Sequence, residues 1–220
     1  MKRILIFGAA TLAQLAHHYA VNDLQLSVLG FVVDDGFKPA DSLLSLPVFT
    51  WTEACQKYTP ADIYFFVAIG YKSMRARGAV YDRVKCAGYN LINIRSRASF
   101  AATDATMGDN NIIMPGVVIE PGVRIGSNNV IWSNVTICHN SNIADHNFFA
   151  ANVTVGGEVT IGSKNFFGFS VTLIQQIIIG NETLIGTQSL VTRNSENLFE
   201  YRGAPAKKIR SISANTGVCV

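Results

Sequence analysis

Histidines and cysteines are the first residues to weigh for acid–base, nucleophilic or metal chemistry in this 220-residue chain. Four are histidines: His17, His18, His139 and His146. A neutral imidazole takes up a proton near pH 7, so His139, in the run Ile137-Cys138-His139-Asn140, is a candidate general base; a solvated histidine at a chain corner is the alternative. The four cysteines, Cys55, Cys86, Cys138 and Cys219, are far apart and form no Cys-x-x-Cys pair. That spacing argues against a disulfide framework or a zinc site and suits a reducing compartment. The segment Gly8-Ala9-Ala10-Thr11-Leu12-Ala13 keeps one glycine of the Gly-x-Gly-x-x-Gly dinucleotide turn, so alone it reads as a plain strand–turn–helix junction.

Composition bounds what can carry these residues. Apolar residues make up 49% of the chain and charged residues 15%, which excludes a disordered chain and leaves few charges to cover a fully solvated monomer. A net charge of +3 is too small to point to nucleic acid. No apolar run reaches the ~18 residues of a membrane span. Lys2 and Arg3 before Ile4 to Ala16 have the outline of a signal peptide, but a second apolar strand ending at Asp34-Asp35 favours a buried first strand.

Residues 1–97 read as alternating strands and helices. Short β-branched or aromatic runs lie at Arg3–Phe7, Val28–Val33 and Ile63–Ile69. Between them are candidate helices at Thr11–Ala20, Thr52–Lys57 and Ser73–Ala87, with Thr11 and Ser73 as caps and Gly88 as a left-handed stop. This alternation predicts a parallel sheet covered by helices, with ligands at the carboxyl ends of the strands. Gly8, Asp34, Asp35 and Gly70 all fall at those ends.

Residues 98–220 contain a repeat. From Met107 through Ile113 and Ile119 to Val191, every sixth residue is apolar, fifteen positions without a break in phase. In a chain 49% apolar, chance gives that about twice in a hundred thousand trials. A period of six marks a hexapeptide β-helix, and three hexads per coil make about five coils, roughly 24 Å tall. Asn111, Asn129, Asn147 and Asn165 recur every 18 residues, which predicts a structural ladder at one corner, where asparagine tolerates left-handed backbone. Phe149 and Phe167 fall in the inward phase, Phe148 and Phe166 in the outward one. Ser211 to Val220 show no periodicity and are expected to be disordered.

The hexads, followed by Gly203-Ala204-Pro205-Ala206-Lys207, resemble the left-handed β-helix acyltransferases. With the N-terminal α/β region they are most similar to the sugar acetyltransferases with a Rossmann-like first domain, as in the bacillosamine, perosamine and sialic-acid pathways. The resemblance implies a cytoplasmic homotrimer with active sites between subunits, using acetyl-CoA and no metal. It also implies N-acetylation of a nucleotide-activated amino sugar for surface glycan or lipopolysaccharide synthesis. The alternatives are sugar O-acetylation and a hexapeptide-repeat binding protein without catalysis.

The resemblance also assigns residues. His139 becomes the general base, and Asn140 stands where many relatives carry an acid. Gly157, one 18-residue coil later, leaves room beside the imidazole and is the candidate oxyanion donor. Phe148, Phe169, Gly186, Thr187 and Lys207 become the coenzyme wall, with Lys208 and Arg210 near its phosphates. Gly8, Ala10, Thr11, Leu12, Asp34, Asp35 and Gly70 become the nucleotide-sugar site. Trp132 would stack on a ligand or fill a seam between subunits. A metal-dependent prism would need about three convergent histidines, and only His139 and His146 lie in the array.

Overall fold

The computed structural model describes residues 2–220. The N-terminal lobe contains, in chain order, β1 (Arg3–Phe7), α1 (Thr11–Asn22), β2 (Ser27–Val33), β3 (Ser42–Leu43), β4 (Leu46–Thr50), α2 (Trp51–Lys57), β5 (Tyr64–Val67), α3 (Met74–Cys86) and β6 (Asn90–Leu91). The sheet order is β3-β4-β2-β1-β5-β6, parallel throughout except for the β3–β4 hairpin pairing. Strand β1 is central and its last four residues are buried, which is why its sequence is a continuous apolar run rather than an alternating one. Ile4 and Ile6 face the cluster that contains Leu12, Ala13, Ala16 and Ala20 of α1. Leu5 and Phe7 face the opposite cluster, with Ala54 of α2 and Val84 of α3.

Local signals set most helix ends. Ser73 accepts the Ala76 N–H and caps α3, and Gly88 at φ 85° ends that helical region. Thr50 and Glu53 form a reciprocal capping box on α2. Thr11 departs from expectation. It is the first helical residue, the cap position belongs to Ala10, and no side chain caps α1.

From Ile94 the chain winds into a three-sided parallel β-helix. Each rung is a two-residue strand, and rungs pair 18 residues apart, as Ile112–Ile113 with Val130–Ile131, until Leu184–Ile185 pairs with Glu200–Tyr201. From Ile112–Ile113 on, the second residue of each rung points inward. Ile113, Ile131, Phe149, Phe167 and Ile185 form one buried column, in which the Phe149 and Phe167 rings stack at 4.7 Å. The winding starts two rungs before the apolar series, at Ile94–Arg95 and Phe100–Ala101. The in-phase residues there are Arg95 and Ala101, which do not continue the run of large apolar side chains.

The asparagine ladder is present, with a difference. Asn111 Oδ1 accepts the Asn129 N–H at 2.9 Å, Asn129 that of Asn147 at 2.8 Å, and Asn147 that of Asn165 at 2.9 Å. These side chains are fully buried. The left-handed residue is the preceding one in each case: Asn110, Asn128, His146 and Lys164 have φ between 56° and 63°. The ladder asparagine turns inward to satisfy backbone N–H groups that the two-residue strands leave unpaired.

The C-terminal residues also depart from expectation. Phe199–Arg202 and Lys207–Ser211 form a hairpin on the last coil. The chain then returns to the N-terminal lobe, where Val218 is buried and its carbonyl accepts the Met74 N–H. Arg75 at the start of α3 donates to the carbonyls of Ala214 and Asn215 and pairs with Glu182 of the prism at 2.6 Å. One buried valine and specific partners order a segment that no periodic pattern reveals.

Lobe and prism are joined by buried amides. Asn110 Oδ1 accepts the Val67 N–H at 2.7 Å and its Nδ2 donates to the Val67 carbonyl at 3.1 Å, so one side chain pairs with the end of β5 as a strand would. Asn128 continues this chain of contacts to His146 at 2.9 Å.

Candidate active site

His139 stands at a prism corner, exposed, between rungs Thr136–Ile137 and Asn142–Ile143. Asn140 takes the left-handed conformation there, at φ 55°. The next coil places Gly157 directly under the imidazole: a Cβ on Gly157 would stand 2.6 Å from both Cε1 and Nε2 of His139. Any larger residue would displace the ring. The flanking bonds run from Glu158 N–H to the His139 carbonyl and from Gln176 N–H to the Gly157 carbonyl. The Gly157 N–H donates to no protein acceptor among the described residues.

Three residues flank the His139 corner. Asn140 Nδ2 lies 3.4 Å from His139 Nδ1. An amide can turn either its N–H or its oxygen to that nitrogen; the oxygen holds the proton on Nδ1 and leaves the Nε2 lone pair free. Glu120, from the preceding coil, accepts the His139 backbone N–H at 2.8 Å. Cys138 has its thiol pushed up by burial and by the Glu120 charge, so it stays protonated at neutral pH and is a poor nucleophile.

His146 is a different case. Its imidazole lies in the seam with the N-terminal lobe, edge-on to Tyr81 and bonded to Asn128. Burial, and then the Arg77 charge, push its pKa down. His17 is half-buried against Phe31, and His18 bonds Asn22 at the end of α1. Among the described residues no cluster of three or more potential metal ligands occurs.

The residues expected to line a coenzyme divide between places. Phe169 and Thr187 lie at the next corner, both exposed, with Phe169 55% accessible. Gly186 is covered by the Arg202 side chain, whose Cγ would be 2.8 Å from an added Cβ. Lys207 is exposed on the C-terminal hairpin. In that hairpin Arg202 and Arg210 both pair with Glu200, whose side chain is only 1% accessible. Against the upward push of burial, Arg210 and Arg202 hold the Glu200 carboxyl below its ordinary value. Phe148 points outward as expected but is 5% exposed, because Tyr71 of the N-terminal lobe lies edge-on to it at 5.2 Å. Trp132 packs on Phe148 in the same seam.

The N-terminal candidates do converge. Gly8, Asp34, Asp35 and Gly70 follow the carboxyl ends of the adjacent strands β1, β2 and β5. Gly8 has φ 129°, and a Cβ there would meet the Ala68 carbonyl at 2.7 Å, so the turn needs glycine. Ala10 and Thr11 are exposed at the start of α1, whereas Leu12 is buried in the lobe core and presents no side chain to a ligand. Both acids have partners. Asp34 pairs with Arg83 at 2.5 Å, and Asp35 accepts the N–H and hydroxyl of Thr52. The Arg83 guanidinium also lies over the rings of Phe7 and Trp51.

Sequence reasoning missed Glu120, Arg202 with Glu200, and the Asn110–Val67 contact. Glu120 was accessible to an 18-residue lattice, since it lies one coil and one residue before His139. The other two depend on how separate segments fold back on each other.

Comparison with known proteins agrees with this architecture. Residues 104–139 match the family described as bacterial transferase hexapeptide (six repeats). No curated protein sequence matches the chain. Among solved structures, the acetyltransferase domain of PglB from Neisseria gonorrhoeae, in complex with acetyl coenzyme A, superposes with a TM-score of 0.85 at 17% identity, covering 94% of this chain and 99% of that one. WeeI from Acinetobacter baumannii gives 0.80 at 17% identity over 95% and 100%. A mutant GDP-perosamine N-acetyltransferase from Caulobacter crescentus, with CoA and GDP-perosamine bound, gives 0.73 at 20% identity over 96% and 98%. The chain therefore shares the fold of these three structures, from the N-terminal lobe to the last coil.

Proposed function

We propose that this protein is an acetyl-CoA-dependent N-acetyltransferase acting on a nucleotide-linked amino sugar, with His139 as general base. The observation that carries the reading is the His139–Gly157 pair: an exposed imidazole packed over a glycine of the next coil whose N–H has no protein acceptor among the described residues, on a fold shared with sugar N-acetyltransferases.

In this reaction the sugar amine attacks the thioester carbonyl and a C–N bond forms. The Gly157 N–H donates to the resulting oxyanion. Nε2 of His139 takes the proton from the nitrogen, the C–S bond breaks, and the imidazolium returns the proton to the departing thiolate. Asn140, with its oxygen toward Nδ1–H, orients the ring.

On this reading the nucleotide sugar lies at the carboxyl ends of β1, β2 and β5, where the Gly8–Leu12 turn, Asp34, Asp35 and Gly70 meet. The sheet order there reverses direction between β1 and β5, the usual place for a ligand crevice. Coenzyme A runs along Phe169, Gly186, Thr187 and Lys207. In one chain those residues and His139 occupy different corners, a prism side apart, up to ~20 Å of chain. A homotrimer with sites between subunits brings one chain's imidazole to a neighbour's coenzyme wall. The reading places the enzyme in the cytoplasm, in surface-glycan synthesis.

The test is thiol release from acetyl-CoA with a panel of amino- and hydroxyl-bearing sugar nucleotides, for the native protein and His139→Ala. The reading expects turnover on an amine acceptor and a loss of at least about a hundredfold in the variant. Equal turnover by both forms removes His139 from the chemistry. Ligand binding without turnover of any acceptor supports a binding protein instead.

A further inference from the structure

We propose that His146 is a positioning residue whose neutral imidazole, with its proton on Nε2, ends a one-way chain of amides that fastens the N-terminal lobe to the prism, and that proton uptake at Nδ1 opens this chain. Only its effect on catalysis rests on the transferase reading. The direction of the chain is set at its first link. Val67 offers one N–H and one carbonyl, and these cannot exchange roles. Asn110 therefore turns Oδ1 to the N–H, at 2.7 Å, and Nδ2 to the carbonyl, at 3.1 Å. The same Nδ2 donates to Asn128 at 2.8 Å, so the Asn128 atom there is the acceptor, Oδ1. The other end of that amide, Nδ2, faces the Arg77 carbonyl at 3.5 Å and His146 Nδ1 at 2.9 Å. A donor meets Nδ1, so Nδ1 holds a lone pair and the ring proton sits on Nε2.

A second proton on the ring would set N–H against N–H. Turning the Asn128 amide over repairs that contact and moves the same conflict to Asn110. Turning Asn110 as well creates two mismatches against the Val67 backbone, which cannot turn. Asn110 and Asn128 are buried, so bulk water does not replace a lost bond. From α3, Arg77, Tyr81 and Asp82 face the imidazole, with the Tyr81 ring edge-on at 5.4 Å and its hydroxyl bonded to Asp109. From the prism, Asp145 and Lys164 face it. Burial, then Arg77 and more weakly Lys164, hold the imidazole below its ordinary value of 6.5, against the opposing pull of Asp145 and Asp82. A group whose value is depressed by a contact supports that contact fully above pH 6.5 and weakens it as pH falls through the depressed value. Strand β5 leads directly to Gly70, in the crevice assigned to the nucleotide sugar, while the base stands on the prism. Loosening the end of β5 therefore moves the acceptor relative to His139 without touching the coenzyme wall.

The experiment uses the full chain, native and as His146→Asn and Asn128→Asp. Asparagine at 146 puts an acceptor oxygen near the place of Nδ1, takes no proton, and tolerates the left-handed φ of 63°. Nitrogen NMR of histidine-labelled protein at pH 7.5, with His146→Asn identifying the signals, is expected to show a bare Nδ1 and a protonated Nε2. Amide exchange of residues 63–69, corrected for its intrinsic pH dependence, is expected to lose at least about threefold in protection from pH 7 to pH 5 in the native protein and to stay level in His146→Asn. Asn128→Asp turns an oxygen to Nδ1 and is expected to raise the His146 titration midpoint by about one pH unit or more. With acetyl-CoA and the amine acceptor turned over best, the acceptor KM is expected to rise about threefold on acidification in the native protein beyond any rise in His146→Asn, with the KM for acetyl-CoA the same in both. A proton on Nδ1 at pH 7.5, an equal loss of protection in His146→Asn, or a midpoint that Asn128→Asp leaves unmoved overturns the proposal. Absence of turnover on every acceptor defeats the transferase reading instead, while the NMR and exchange results still decide the role of His146.

Discussion

His139 and Gly157 share one site: the imidazole occupies the volume that a side chain on Gly157 would fill, 2.6 Å from two ring atoms. The ring is an exposed, movable group, so Gly157→Ala is expected to fold with a stability change below about 1 kcal/mol while pushing the imidazole aside. A displacement of that size at a reacting centre costs about a hundredfold in rate. Thermal denaturation together with kcat/KM on the best amine acceptor checks both halves. Lost activity with lost folding would remove the steric explanation.

Asn140→Asp adds a carboxylate where the structure has an amide, and aspartate tolerates the left-handed backbone at this corner. The new charge favours the imidazolium that forms when the base takes its proton. Plateau kcat is expected to rise about threefold. Steady-state rates on the best amine acceptor at saturating acetyl-CoA give the answer directly.

The asparagine ladder makes a stability prediction. Asn129→Ala removes the acceptor for the buried Asn147 N–H and leaves that group without water. The expected loss is about 2–3 kcal/mol, measured by urea unfolding. Arg77→Met runs the other way. Arg77 is fully buried, its guanidinium donates among the described residues only to the Asn147 carbonyl, and burial alone lowers its pKa to about 9. That carbonyl keeps the Val130 N–H as a partner. Methionine fills a similar volume without a desolvated charge, so stability is expected to hold or to rise by about 1 kcal/mol.

The clasp between α3 and the C-terminal segment depends on pH. A bidentate bond from Arg75 holds the Glu182 carboxyl below its ordinary value of 4.5. A carboxyl with a depressed folded pKa adds stability above its unfolded pKa and loses it as pH falls through the folded value. The native protein is therefore expected to lose stability below about pH 4.5, and Glu182→Gln to show a shallower loss between pH 5 and pH 3. Unfolding curves at several pH values measure the difference in slope.

Much of this molecule was legible in its sequence because the prism repeats itself. Inward positions such as Ile113, Ile131 and Phe149 recur so strictly that coil length, core and stacking follow from the count. The spacing of His139 and Gly157 is also lattice arithmetic. What stayed hidden depends on contacts between segments with no common period. Phe148 has the outward phase of a ligand wall, and only the folded chain brings Tyr71 over it. Asp34 and Asp35 are at the expected strand end, but Arg83 and Thr52 arrive from other elements. Ser211 to Val220 looks featureless because its order rests on Val218 and on the bonds of Arg75.

The Asn110 amide fastens the end of β5 to one particular coil, and the imidazole sits at a fixed number of rungs from it. Height along the prism is thus quantised in steps of about 4.8 Å. Gain or loss of one whole turn between that anchor and His139 would slide the base relative to the lobe yet keep every residue on its own side. Any other change in length would rotate the histidine off its corner. The fold therefore sets the reach between lobe and base as a ruler does, in whole graduations only.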